Sequence, residues 1–342
     1  MQIIYDPSHE RHAPETFISA GRVMPNPEVV ERATRLLAAV EQAGHEVVAP
    51  DPFGHDAYAA VHTGDYLEFL SSAHALWSKV AGASDEVVPN AHPGRHMHTR
   101  PHHIVGLAGY HMADTACPIG AGTWRAARAA ADCALTAAAR VMDGARVVYS
   151  LCRPPGHHAY SDMAGGFCFL NNVAIAADYC RRHGAERVAI LDIDVHHGNG
   201  TQGIFYGRGD VLFVSVHAEP HAFYPWFAGY AEERGQDAGH GYNLNLPLAR
   251  GSGDPQFHHA VEEGLAAIHR YAPDVVLISL GFDAQENDPL GILKVTTEGF
   301  RQTAALIAGL GLPTVLVQEG GYLCDELGAN LAAFLDGFEN AA

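Results

Sequence analysis

The chain has 342 residues, 48% of them hydrophobic and 18% charged, and its 21 Lys and Arg against 39 Asp and Glu leave a formal charge of −18. Such a composition supports a large buried core and excludes intrinsic disorder. An acidic balance of this size also excludes general attraction to nucleic acid or to anionic membranes, whereas a cationic ligand would be drawn in.

Taken in chain order, MQIIYD (1–6) reads as a short strand. EVVERATRLLAAVEQAG (28–44) follows as an amphipathic helix closed by Gly, and EVVAP (46–50) as a second strand. Residues 82–122 lack periodicity and are rich in Pro, Gly, His and Arg, with five histidines between His92 and His103. They read as a long loop insertion near the mouth of a site. Helix patterns then alternate with apolar β-branched runs. The runs at 146–151, 187–194, 210–217, 274–282 and 313–320 are apolar on both faces, as buried parallel strands are. Helices are expected at 123–142, 171–184, 257–272 and 297–311. This alternation predicts a single α/β domain over 1–342, a central mostly parallel sheet with helices on both faces. Six cysteines form no CxxC pair, the N-terminus carries no basic-then-apolar leader, and no run of about 18 apolar residues occurs. The expectation is a cytoplasmic protein with no membrane partner.

Polar residues gather where the predicted strands end, the edge at which open parallel sheets bind ligands. ILDIDVHHGNG (190–200) places Asp192, Asp194 and His196 at alternate positions, which share one face if the strand continues. Isolated buried charges there would cost several kcal/mol each, of order 3–5 when a partner is missing, so a metal ion is expected. Asp194 and His196 supply two ligands, and Asp283, ending the next-but-one strand in SLGFDAQENDPLG, is the best third. Two carboxylates and one imidazole leave a corner open, the arrangement of a catalytic zinc site. Taken singly, each Asp could equally be a turn or cap residue. RPPGHHAY (153–160) breaks a strand just before His157 and His158, so both can aim at one point and move protons near neutral pH. The Gly-Gly turn of EGGY brings Tyr322 toward the same place, where its hydroxyl can donate to an oxyanion.

DxDxHHGNG, RPPGHH, GGFCFLNN, SLGFD and EGGY together resemble the zinc-dependent histone deacetylase superfamily, and MQIIYDPSH with VHTGDYLEFL is most similar to its bacterial acetylpolyamine amidohydrolase branch. The resemblance implies a single arginase/deacetylase-like domain and hydrolysis of an N-acyl amide. It implies Zn²⁺, with Fe²⁺ as the alternative, on Asp194, His196 and Asp283. His158 would be the general base, with His157 positioned by Asp192 as an electrostatic stabiliser, and Tyr322 would grip the carbonyl. Asn199 stands where many relatives carry Asp, which would raise the His158 pKa less. A structural K⁺ would sit on Asp192, Asp194, His196, Ser215 and Val216. Gly166, Phe167, Phe223, Tyr224 and Leu290 would line a substrate tunnel. The implied substrate is a small acetylated amine, with acetyl-lysine as the alternative, and the implied assembly is a homodimer or higher homo-oligomer. Apolar residues around Val105 and Ala116, where acidic ones guard the mouth in that branch, weaken polyamine selectivity. An arginase-like two-manganese centre would need a third Asp in 194–198, and a non-catalytic binding module would lack the His pair or Tyr322.

Overall fold

The computed structural model describes residues 1–341. Strands follow the chain as β1 (Gln2–Ile4), β2 (Thr16–Ser19), β3 (Arg22–Pro25), β4 (Glu46–Val48), β5 (Val147–Ser150), β6 (Val188–Asp192), β7 (Val211–Ala218), β8 (Asn243–Leu248), β9 (Val275–Leu280) and β10 (Thr314–Gln318). Eight of them form one sheet in the order β4-β1-β5-β10-β9-β6-β7-β8, and every neighbouring pair is parallel. The expected mostly parallel central sheet is present, with all of its pairings parallel. β2 and β3 form a separate antiparallel hairpin that the sequence reading missed.

The central strands β6, β9 and β10 are largely apolar because each feeds two cores. Ala189 and Leu191 of β6, Val276 and Ile278 of β9 and Leu316 of β10 face helices α1 (Val30–Gln42), α8 (Asp254–Tyr271), α9 (Thr297–Ala308) and α10 (Leu327–Asn340). The intervening Val188, Ile190, Val275, Leu277, Val315 and Val317 face α5 (Thr123–Met142) and α6 (Asn172–Arg182). A third cluster joins α3 (Gly64–Trp77) and α4 (Ile104–His111) to α5. Helix α4 lies inside the 82–122 segment, so that segment is not one long loop: Ile104 and Leu107 bury against Tyr66, Leu70 and Trp77. The five histidines precede α4 or cap it, and no group of metal-ligand atoms converges among them in the described residues.

β5, β10, β9 and β6 are contiguous in the sheet. Their carboxyl ends deliver His157 and His158, Tyr322, Asp283, and Asp194 with His196. The strand order therefore collects residues spread over 166 positions, from 157 to 322, at one edge.

Candidate active site

β6 stops at Asp192, so pleating does not carry the Asp192–Asp194–His196 alternation onward as the sequence reading expects. Side chains fold the run instead. The Asp194 N–H donates to Asp192 Oδ1 (3.1 Å), the His196 N–H to Asp194 Oδ1 (2.9 Å), and the Val195 N–H to Asp283 Oδ1 (2.9 Å). His196 Nδ1 lies 3.2 Å from both Asp194 Oδ1 and Asp283 Oδ2. The ligand atoms of these three residues fall within 4.8 Å of one another.

Asp192, Asp194 and Asp283 are fully buried, and among the described residues only imidazoles pair with them, never Lys or Arg. Burial opposes ionisation of Asp194, but the neighbouring His157 and His196 charges outweigh it and hold the carboxyl well below its usual range. Asp283 is pushed up by burial and by Asp194. His196 resists charging through burial, yet its bonds to Asp194 and Asp283 lift it to about 9. Three buried carboxylates without a fixed cation, and three donors aimed at one point, fit a divalent metal ion.

His157 Nδ1 donates to Asp192 Oδ2 (3.0 Å). Burial disfavours its charged form, but Asp192 and Asp194 prevail and raise it to about 10, while burial raises Asp192 to about 6. His158 Nδ1 donates to Asn199 Oδ1 (2.6 Å), an assignment made from the hydrogen-bond network. Burial, then the charges of His157 and His196, hold His158 well below the ordinary imidazole range. Two adjacent histidines, with ring centroids 4.0 Å apart, are thus shifted in opposite directions.

Tyr322 is nearly buried, and burial pushes its phenol far up, keeping the hydroxyl a donor. Its N–H donates to Asp288 Oδ2 (2.7 Å). The turn before it requires glycine: Gly321 has φ +108°, and a Cβ on Gly320 would collide with the Asp283 and Asp194 carboxylates.

These groups floor a cleft of about 490 Å³ lined by His158, His196 and Tyr322 together with Gly166, Phe167, Phe223, Tyr224 and Leu290. The Phe223 ring stacks on the His196 imidazole at 4.8 Å. Phe167 adopts φ +68°, a costly conformation for a bulky residue and one that aims its ring into the wall. Ala116 lines the mouth but Val105 does not. Ser215 pairs with Asp192 in register behind the site, and its hydroxyl lies 2.8 Å from His217 Nδ1.

Sequence reasoning missed several contributors. The hairpin supplies Phe17, Ile18, Ser19 and Ala20 to the mouth, and Trp226 joins them. The Asp114 carboxylate lies there too, accepting from the Tyr224 hydroxyl (2.7 Å) and the Gly166 N–H (3.0 Å). No local pattern marks these residues. A second group, His157, Cys168 and Glu319, has donors within 4.8 Å of one another but does not fit a metal. Glu319 Oε2 is taken by the N–H groups of Gly156 and His157, and burial keeps the Cys168 thiol protonated.

A wholly parallel α/β sheet carrying an Asp-His-Asp cluster, a polarised histidine pair and a buried tyrosine at one edge defines a metal-dependent hydrolase. The Histone deacetylase domain model matches residues 24–338, and the chain belongs to that family as a hydrolytic deacetylase. It is 48% identical to the acetylpolyamine amidohydrolase of Burkholderia pseudomallei (strain 1710b), covering 99% of this chain and 98% of that protein. It is 44% identical to acetylpolyamine amidohydrolase 1 of Pseudomonas aeruginosa, over the full length of both. A crystal structure of acetylpolyamine aminohydrolase from Burkholderia pseudomallei superposes with a TM-score of 0.96 at 47% identity, over 99% of this chain and 98% of that one. The HDA15 HD domain superposes at 0.83 with 29% identity, over 99% and 91%.

Proposed function

We propose that this chain removes the acetyl group from small N-acetylated amines of the acetylpolyamine kind, using Zn²⁺, with Fe²⁺ as the alternative metal. The observation that carries the reading is the convergence of Asp194, His196 and Asp283 opposite His158 and Tyr322 in one narrow cleft. Full-length relatives named acetylpolyamine amidohydrolase support the substrate class.

Asp194, His196 and Asp283 would hold the ion, which when bound would supply Lewis acidity to the acetamide and to water. Two aspartates neutralise much of that acidity, so a base is needed. His158 is neutral and its Nδ1 proton is committed to Asn199, which leaves Nε2 to take the proton of the attacking water. The same imidazolium then returns that proton to the departing amine. His157, charged beside Asp192, stabilises the negative charge that builds on the tetrahedral carbon's oxygens. Tyr322 donates its hydroxyl to the oxyanion. Phe167 and Phe223 confine a slender methylene chain and exclude bulky ones. K⁺ behind the metal strand, on Asp192, Asp194, His196, Ser215 and Val216, would offset the buried Asp192 charge. A cytoplasmic location is part of this reading and fits six unpaired cysteines, and assembly as a homodimer or higher homo-oligomer is part of it by family resemblance alone.

Acetyl-lysine is the second reading. Phe17 and Ala116 make the mouth largely apolar, and Asp114 is already engaged by Tyr224 and Gly166. Acetate release from N-acetylputrescine, acetylspermidine and acetyl-lysine peptides tests both. The polyamine reading expects kcat/KM to favour the acetylpolyamines by at least about tenfold, or ~1.4 kcal/mol. Equal values across the set would overturn it, and failure of a chelator to abolish turnover would overturn the metal.

A further inference from the structure

Glu28 is wholly buried and lies outside the cleft, just before α1, yet it joins both catalytic turns. Its Oε1 accepts from Arg32 Nη1 (2.6 Å) and Arg153 Nε (2.8 Å), and its main-chain oxygen accepts from Arg153 Nη2 (3.0 Å). Arg153 opens the run that ends in His157 and His158, and its Nη1 also donates to the His9 carbonyl (2.8 Å). Arg32 reaches the other turn. Its Nη2 donates to the Glu319 carbonyl (2.8 Å), its Nε donates to the Gly321 carbonyl, and its guanidinium stands 4.7 Å from the Tyr322 ring centroid. Glu319 closes the circuit, accepting from the Gly156 N–H (2.6 Å) and the His157 N–H (3.1 Å).

Two buried guanidiniums cannot sit side by side without a shared counter-charge. Glu28 is the only carboxylate paired with either of them among the described residues. Its second oxygen, Oε2, makes no hydrogen bond and lies 3.7 Å from His12 Nε2. We propose that Glu28 is a positioning residue for the deacetylation reaction: one carboxylate, acting through Arg32 and Arg153, sets the tandem-histidine turn against the tyrosine turn. This rests on the deacetylase reading above. A misplacement of about 1 Å between such groups can cost a hundredfold in rate without altering substrate binding.

The test is Glu28→Gln in the metal-loaded enzyme, nearly isosteric but uncharged. The expected result is a kcat lowered about a hundredfold with KM within about threefold, since ground-state contacts are untouched. On a Tyr322→Phe background the same substitution should lose about tenfold less, because part of its effect passes through that hydroxyl. A normal kcat, a loss expressed in KM, or a full undiminished loss on the Tyr322→Phe background overturns the proposal. Deuterium exchange reads the brace independently of turnover: amides at 156–157 and 320–322 should both exchange faster, and no change at either turn overturns it. Wild-type protein that releases no acetate refutes the deacetylase reading instead, with the exchange result still deciding the brace. Should Glu28→Gln not fold, Arg153→Lys keeps the charge and loses the planar fork. Its kcat should then fall with KM kept, and an unchanged kcat overturns the proposal.

Discussion

In the proposed reaction His158 and Tyr322 divide the work that one residue could not do, since one must take a proton and the other must give a hydrogen bond. Their opposite demands explain why burial is useful to both: it keeps the imidazole neutral and the phenol protonated. His158→Ala and Tyr322→Phe should each lower kcat by at least about a hundredfold, in steady-state acetate release with metal content held equal. The lowered His158 pKa also fixes a pH dependence. A depressed imidazole stays in its basic form to lower pH, so the acidic limb of kcat/KM should lie below 6.5, the value of a free histidine. Asn199→Asp would set a carboxylate against Nδ1, favour the imidazolium and move that limb upward by about one unit or more. A pH–rate profile of the two proteins checks both the position and the sign. At this scale the sequence was highly legible. Asp194, His196, Asp283, His157, His158 and Tyr322 were all named from motifs, because reactive chemistry tolerates few substitutes. Asp114 and Asp288 were not, since their roles consist of accepting main-chain or phenolic donors from segments remote in sequence.

At the level of elements, the apolar runs that read as buried strands prove to be strands, because they supply side chains to two cores at once. Helix α5 shows how tightly one of those cores is filled. Ala130, Ala134, Ala137 and Ala138 pack against α6 and the sheet with almost no exposure. Ala134→Leu should therefore destabilise the protein by about 1–3 kcal/mol through overpacking, read by urea denaturation. Specific activity of the folded fraction should be retained, since α5 contributes nothing to the cleft lining. Strand β8 and helices α3 and α10 also lie outside the predicted elements, and two short elements escaped the sequence reading for local reasons. The β2–β3 hairpin is short and largely exposed, so no apolar periodicity betrays it. Helix α4 has an apolar composition and is only eight residues long, too short for a clear helical period inside a Pro- and Gly-rich segment.

Across the whole molecule, buried histidines set the response to acid. His9, His12, His62 and His217 are each lowered to about 4, burial being the largest cause in every case. The unfolded chain would bind those protons near pH 6.5, while the native state refuses them until about 4. Their contribution is thus intact above 6.5 and is lost as pH falls through that window, by roughly 1.4 kcal/mol per unit for each histidine. At that slope four such groups together reach the lower end of the 5–15 kcal/mol typical of a folded domain about one unit below 6.5. The midpoint of acid unfolding, followed by far-UV circular dichroism, should accordingly fall between pH 6.5 and 4.

Read alone, the sequence determined the class of fold, most strands of the central sheet and the candidates for the reactive residues, because periodicity and motif chemistry are local properties of a chain. Tertiary structure alone decided that β5, β10, β9 and β6 stand side by side, that a distant hairpin roofs the cleft, and that Glu28 reaches both catalytic turns. Strand order and long-range hydrogen bonds depend on which surfaces pack best together, and no single segment carries that information.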